Sequence, residues 1–225
     1  MSGADTQDPF LALMGVDEYV LRQVGSRTPE QEQPAALPIP VPDSWLDLVK
    51  TVSTCTRCSL HETRTQTVFG VGNPDADWLF VGEAPGEQED LRGEPFVGRA
   101  GQLLDEMIRA LGLSREAVYI ANILKCRPPK NRDPSPAESL ACEPFLVQQV
   151  QNVGPKIIVA VGRIAAQNLL KTQQPMSELR GKVHHYEGIP VIVTYHPAYL
   201  LRKQSEKRRA WVDLKLARNT LNHSI

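Results

Sequence analysis

The chain has 225 residues, 41% of them hydrophobic, and a formal net charge of −1 at pH 7. This length suits one domain with a full core and room for a tail, and the charge excludes attraction of nucleic acid by an overall positive field. No apolar run could span a bilayer, and no basic stretch precedes the first apolar patch, so we expect a cytoplasmic protein without membrane contact.

The first 43 residues are predicted to be an extension outside the folded domain. Residues 10–21 show an amphipathic pattern, which suits docking on a partner protein. Residues 26–42 are rich in Pro, Gln and Glu, a composition typical of an extended linker. We therefore expect a dispensable, flexible extension over residues 1–43 and one monomeric domain over residues 44–225, beginning with a helix from Trp45 to Val52.

Within the domain, short apolar strands alternate with helical patterns. Helices are predicted at residues 101–111, 136–153 and 164–170, and Pro144 should kink or break the second of these. The strands are continuously apolar, as in strands covered on both faces, so the sequence predicts a three-layer α/β/α fold with a mostly parallel sheet. The predicted strands are Trp78–Val81, Val118–Asn122, Ile157–Val161 and Val191–Thr194.

A glycine-rich and acid-rich turn follows the first strand. It reads Gly82-Glu-Ala-Pro-Gly-Glu-Gln-Glu-Asp90 and is followed by Pro95-Phe-Val-Gly98. In α/β sheets such turns lie at the carboxyl ends of the strands, where ligands bind. Taken alone, the pattern is equally typical of an ordinary connection with solvated acids.

Polar residues also follow the other strands. Asn122 ends the second strand, where its amide suits the edge of an amide-like heterocycle, although an Asn that caps its own strand is as common. Backbone amides at residues 162–163 suit a phosphate. His196 is placed to donate a hydrogen bond to a developing oxyanion, whereas a lone His is more often structural.

Apolar residues and then a basic cluster follow His196. Tyr199, Leu200 and Leu201 precede basic residues that extend from Arg202 to Arg218. An apolar wedge beside cations fits insertion into a base stack flanked by phosphates. The alternative is that these residues simply begin an amphipathic helix.

The four cysteines indicate a metal centre before disulfides in a cytoplasmic protein. They are Cys55, Cys58, Cys126 and Cys142. The Cys-x-x-Cys pair lets two thiolates converge on one centre. Four-cysteine ligation suits tetrahedral zinc or an iron–sulfur cluster, and the spacing does not choose between them. Four ordinary buried cysteines are the alternative.

Together these segments resemble the family 4 iron–sulfur uracil-DNA glycosylases. The resemblance rests on Gly82-Glu-Ala-Pro-Gly86, Pro95-Phe-Val-Gly98, the cysteine spacing, Asn122 and His196-Pro-Ala198, and it covers residues 45–221. It implies a four-stranded parallel sheet with helices on both faces and a [4Fe–4S] cluster on all four cysteines. It also implies that the protein flips uracil out of single- or double-stranded DNA and hydrolyses its N-glycosidic bond, leaving an abasic site.

The resemblance further implies roles for single residues. Phe96 would stack on uracil, Asn122 would bond its Watson–Crick edge, and His196 would bond the uracil oxygen that gains charge. Glu83 would orient water or steady the positive sugar. The other residues expected at the substrate are Gly82 and Ala84 of the turn, Glu89 beside the site of a thymine methyl, Asn131 in support, and Leu200 as the wedge.

Two departures from the wider superfamily affect the chemistry. At the position where the best-known branch has a water-activating Asp, this chain has Ala84, and family 4 also has Ala there. The group that activates water is therefore left open. The region after Cys126 is short and lacks the basic insert with a reactive His of a cross-linking relative, so covalent trapping is not expected.

Two other functions compete with uracil excision. A non-catalytic iron–sulfur DNA-binding or polymerase-associated protein would keep the cysteines but would not need Glu83, Asn122 and His196 together at strand ends. A nucleotide-binding enzyme is less favoured, because the chain has neither a G-x-G-x-x-G nor a P-loop motif.

Overall fold

The computed structural model of the protein describes residues 44–223, so the helix, linker and partner site predicted within residues 1–43 lie outside the described residues. The strands are β1 (Val71–Gly72), β2 (Trp78–Gly82), β3 (Tyr119–Asn122), β4 (Ile157–Val161), β5 (Val183–Tyr186) and β6 (Ile189–Thr194). The helices are α1 (Trp45–Ser53), α2 (Glu87–Arg92), α3 (Arg99–Ala110), α4 (Pro136–Val153), α5 (Arg163–Leu169), α6 (Met176–Leu179), α7 (Pro197–Arg202) and α8 (Lys207–His223).

The strands form one mixed sheet in the order β1-β3-β2-β4-β6-β5. The four predicted strands pair in parallel at its centre. Two short edge strands, β1 and β5, pair antiparallel with β3 and β6 and bring the sheet to six strands instead of four. Neither has an apolar run, since β1 has two residues and β5 carries His184 and His185.

Helices cover both faces of the sheet, which confirms the three-layer prediction. Alternate residues of a strand face opposite sides. On one side Leu79 packs in a cluster with Val150 of α4. On the other, Phe80 packs in a cluster with Leu104 of α3 and Leu214 of α8. As a result β2, β3 and β4 are buried throughout and β6 is buried over its last four residues, so the carboxyl ends of all four lie at one buried edge.

Helix α4 has the predicted bounds. At its start the Ser135 hydroxyl accepts a hydrogen bond from the Glu138 N–H, and the Glu138 carboxylate accepts one from the Ser135 N–H, a capping box. The helix runs unbroken through Pro144, so the predicted break is wrong. Cys142 and Phe145, on either side of the proline, are buried in the same cluster, which holds both halves of the helix in place.

The residues after His196 form two helices, α7 and α8, so Tyr199, Leu200 and Leu201 lie in a helix. Pro197 starts α7 directly after β6, and the chain turns before α8 begins at Lys207. Within residues 44–223, no helix is long and apolar enough to cross a membrane.

Candidate active site and cysteine centre

The carboxyl ends of the four parallel strands open onto one cavity of about 910 Å³. Glu83 follows β2, Asn122 ends β3, Arg163 follows β4 and His196 follows β6, and all four line this cavity. Phe96, from the loop between α2 and α3, forms a further part of its wall. The parallel sheet thus brings together residues that are far apart in the chain.

His196 is a neutral hydrogen-bond donor in this cavity. Burial lowers the pKa of its imidazolium to about 4, the positive charge of Arg202 acts in the same direction, and Glu89 acts against both. The Ala198 N–H donates to Nδ1 at 3.1 Å, so Nδ1 is the acceptor and the remaining proton is on Nε2. At neutral pH the ring can therefore offer an N–H without carrying a charge.

Asn122 is 2% exposed, and its amide Oδ1 has no hydrogen-bond partner among the described residues. A buried amide oxygen without a partner is costly, so its presence in a cavity wall indicates a ligand that brings an N–H. Gly82 lets this amide and the Phe96 ring come close. A Cβ at Gly82 would lie 2.4 Å from Asn122 Oδ1 and 2.6 Å from Phe96 Cζ.

Phe96 itself is held in an uncommon backbone conformation. Its φ of 54° lies in the left-handed region, and its ring centroid is 5.6 Å from that of His196. A left-handed φ is rare for a bulky residue and persists where the surroundings enforce it, often at ligand sites.

Glu89 helps to hold Phe96 in this left-handed conformation. Its carboxylate accepts hydrogen bonds from the backbone N–H groups of Gly86, Val97 and Gly98, at 3.1, 2.9 and 3.1 Å. The side chain thus ties the first turn of α2 to the residues directly after Phe96. It also lines the cavity, so it stands there in one fixed position.

Glu83 titrates near neutrality. Burial raises the pKa of its carboxyl to about 7, the negative charge of Asp133 adds to the rise, and Arg163 opposes it. Arg163 also donates a hydrogen bond to Asp133 at 2.8 Å, which holds the two charges beside the cavity. A carboxyl that titrates near neutral pH is suited to act as a base.

Two further predicted residues, Ala84 and Asn131, line the cavity. Ala84 also packs against the cluster that contains the cysteines. Asn131 has a left-handed φ of 54°, and its Oδ1 accepts a hydrogen bond from Arg127 Nε at 2.8 Å. Its side-chain amide is thereby oriented.

Leu200 is not where the wedge prediction requires it. Its side chain is 1% exposed and belongs to the core beneath the sheet, so the expectation of an exposed wedge at this position is wrong. The cause is helix α7, which turns Leu200 inward, while Tyr199 lines the cavity instead.

The sequence patterns did not reveal a buried ion pair behind the His196 loop. Arg180 donates two hydrogen bonds to Asp213, at 2.7 and 3.0 Å, and Asp213 is 1% exposed. The Arg180 guanidinium lies 4.0 Å from the centroid of the Tyr195 ring, which is 5.1 Å from that of Tyr199. Short-range patterns carry no signal for a pair that lies 33 residues apart.

A second, smaller cavity is formed by the cysteines. All four line it, none of them is in a disulfide, and the cations Arg57, Arg64 and Lys125 line it with them. Arg64 donates to Cys126 Sγ at 3.0 Å, and the Lys125 backbone N–H donates to Cys142 Sγ at 3.3 Å. Arg57 Nη1 is buried without a partner among the described residues. This ring of donors and positive charge suits an anionic group bound to the sulfurs.

The thiols themselves need a metal to ionise. Burial raises the pKa of Cys58 and Cys126, and it raises that of Cys142 to about 12. These three thiols therefore keep their protons at neutral pH unless a bound metal replaces them.

The spacing of the side chains bears on which metal centre they suit. Within residues 44–223, no three His, Cys, Asp or Glu side chains are close enough together to hold a single metal ion. Tetrahedral zinc, with Zn–S bonds of about 2.3 Å, needs sulfurs only about 3.8 Å apart. The four cysteines nevertheless line one cavity, and four-cysteine ligation suits either tetrahedral zinc or an iron–sulfur cluster.

Known proteins match this chain over most of its length. The model of the uracil DNA glycosylase superfamily matches residues 69–215. The type-4 uracil-DNA glycosylase of Archaeoglobus fulgidus is 48% identical over 181 residues, 77% of this chain and 91% of the relative. That of Thermotoga maritima is 48% identical over 70% of this chain and 83% of the relative. That of Saccharolobus solfataricus is 45% identical over 69% of this chain and 77% of the relative.

Proposed function

The chain belongs to the uracil DNA glycosylase superfamily, and from that premise we propose that it excises uracil from DNA as a repair enzyme. The proposal is carried by one pairing in the larger cavity: the unpartnered Oδ1 of Asn122 and the N–H of the neutral His196. Uracil presents an N–H and a carbonyl oxygen side by side on one edge, so a single flipped base satisfies both groups.

The substrate is a uracil nucleotide turned out of single- or double-stranded DNA. A stacked base is out of reach of any cavity, so extrusion precedes chemistry. Phe96 stacks on the base, and the Asn122 amide accepts its N–H. We expect the protein to act as a monomer in the cytoplasm.

His196 stabilises the leaving group. As the N-glycosidic bond breaks, its electron pair goes to the uracil ring, and negative charge grows on the carbonyl oxygen next to the broken bond. The Nε2–H of His196 donates to that oxygen. Because the imidazole is neutral, it stabilises the uracil anion through a hydrogen bond and does not transfer a proton to it. A donor of this kind is typically worth ~10²–10³ in rate.

Glu83 serves the sugar side of the reaction. The ionised carboxylate stabilises the positive charge that develops on the deoxyribose and accepts a proton from the water that attacks its anomeric carbon. The new C–O bond replaces the C–N bond, and the products are free uracil and an abasic site.

Base selection depends on the walls of the cavity. Gly82 and Ala84 allow close approach of the base, and Asn131 supports it from the opposite loop. Glu89 stands where the methyl group of thymine would lie, and its three backbone hydrogen bonds prevent it from moving aside. Thymine is thus excluded by a fixed side chain.

The cysteine cavity would hold a [4Fe–4S] cluster on Cys55, Cys58, Cys126 and Cys142. Supporting this are the position of all four cysteines around one cavity and the cations that surround them. When bound, the cluster would act as a structural cross-link between the end of α1, the loop after β3 and α4.

The test is an excision assay on two oligonucleotides, one with a single uracil and one with thymine at that position. We expect alkali-labile cleavage at uracil only, from protein that contains iron and shows the visible absorbance of an iron–sulfur cluster. Iron-loaded protein that cleaves neither single- nor double-stranded uracil DNA would contradict the proposal and favour a DNA-binding protein on the same scaffold.

A further inference from the structure

Lys125 lines the cysteine cavity and also contacts Asn122, a residue in the wall of the uracil cavity. Its backbone N–H donates to Cys142 Sγ at 3.3 Å, and its ammonium Nζ donates to the backbone carbonyl oxygen of Asn122 at 2.7 Å. Asn122 is the residue whose side-chain amide faces the uracil cavity. One residue thus contacts a predicted cluster ligand through its backbone and the backbone of a predicted base-reading residue through its side chain.

The ammonium of Lys125 is buried without a carboxylate. The residue is 1% exposed, and no Asp or Glu in the described part of the chain pairs with it. A buried cation is strongly disfavoured unless an opposite charge lies nearby. Lys125 also lines the cysteine cavity, and four thiolates outweigh the charge of a [4Fe–4S] core. The cysteine-bound cluster would therefore supply the negative charge that the Lys125 ammonium otherwise lacks.

Gln149 holds the ammonium in place. Its Oε1 accepts a hydrogen bond from Nζ at 2.5 Å, while its Nε2 donates to the Phe69 carbonyl oxygen at 2.9 Å and to the Tyr119 hydroxyl at 3.3 Å. The side chain of Gln149 is fully buried, so these bonds fix its orientation.

We propose that Lys125 is a positioning residue that links the cysteine-bound cluster to Asn122. The negative charge of the cluster stabilises the buried ammonium, and the ammonium holds the Asn122 backbone so that its amide reads the base. The link rests on the proposed function, because it assumes that the cysteines bind a cluster and that Asn122 binds uracil.

The test compares Lys125→Met with the same change at Lys156, a half-exposed lysine on the surface beside Asp77. Two quantities are measured on the iron-loaded proteins: the rate of loss of visible absorbance in excess chelator, and kcat and KM for uracil excision per bound cluster. In Lys125→Met we expect cluster loss to be about tenfold faster and kcat about tenfold lower, the factor for losing one charge-assisted interaction. Lys156→Met should match wild type in both.

A second variant separates charge from positioning. Lys125→Gln loses the charge but keeps an N–H donor for the Asn122 carbonyl, so it should lose the cluster as fast as Lys125→Met while keeping more of the wild-type kcat. Wild-type rates of cluster loss in both variants would overturn the electrostatic part of the proposal. Unchanged kcat in loaded Lys125→Met, or equal losses of kcat in both, would overturn the positioning part. Iron content and excision of the wild type test the proposed function separately.

Discussion

The substitution Gly82→Ala adds one methyl group at the point where the base-reading residues meet. The new Cβ would lie 2.4 Å from Asn122 Oδ1 and 2.6 Å from the Phe96 ring, where ordinary contacts begin at 3.4 Å. Both side chains must therefore shift, each by about 1 Å. Asn122 is at the end of a central strand and Phe96 is held in a strained turn. The shifts that relieve the clash therefore distort the uracil site.

A misplacement of about 1 Å in a reactive geometry costs roughly 10²-fold in rate, or about 2.7 kcal/mol of transition-state stabilisation. We expect Gly82→Ala to lower single-turnover excision by this factor on a single-stranded uracil oligonucleotide. Gly82 has no left-handed backbone to strain, so the melting temperature should change little.

Gly98→Ala is the matched control, at the residue that precedes α3. Its added Cβ would meet only Glu89 Oε1, at an ordinary 3.7 Å, so its rate should lie close to wild type. A Gly82→Ala enzyme that excises uracil at the wild-type rate would refute the placement of base recognition between Asn122 and Phe96. So would a loss of equal size in both variants.

The remaining predictions concern charges. Glu83→Gln should remove a rise in excision rate centred near pH 7, since the carboxyl of Glu83 must ionise, above a pKa of about 7, to accept a proton; an unchanged pH–rate profile would assign that role elsewhere. His196→Ala should lower kcat by ~10²–10³ with DNA affinity retained, as measured by single-turnover kinetics and binding. Asp213→Ala leaves Arg180 without its buried carboxylate and should lower the free energy of unfolding in urea by about 3–5 kcal/mol; a loss below about 1 kcal/mol would show that the pair is well solvated.

The central strands and main helices could be predicted because each has its own local signal. An apolar run marks each parallel strand, and the Ser135 capping box marks the start of α4. Sequence order then places Glu83, Asn122 and His196 at one sheet edge, since parallel strands end together. The edge strands were missed because β1 is too short and β5 too polar to show a pattern.

Contacts between distant segments had no such signal. The acid-rich turn predicts solvated or ligand-facing carboxylates, yet Glu89 binds three backbone amides and helps to hold Phe96. Lys125 and Arg180 look like surface cations in the sequence, and only packing shows that each is largely buried against a specific partner. Leu200 was assigned to the surface for the same reason, because the direction in which α7 turns it depends on the core beneath.

Burial reverses the usual order of the two titratable groups in the uracil cavity. It raises the pKa of Glu83 to about 7 and lowers that of His196 to about 4, because in both cases it disfavours the charged form. At neutral pH the imidazole therefore has no extra proton to give, and His196 acts only as a hydrogen-bond donor to the leaving uracil. Glu83 is the stronger base of the two, so the proton released by the attacking water goes to the carboxylate and not to the histidine. The opposed pKa shifts thus assign stabilisation of the leaving uracil to His196 and activation of water to Glu83. No proton passes between the two residues.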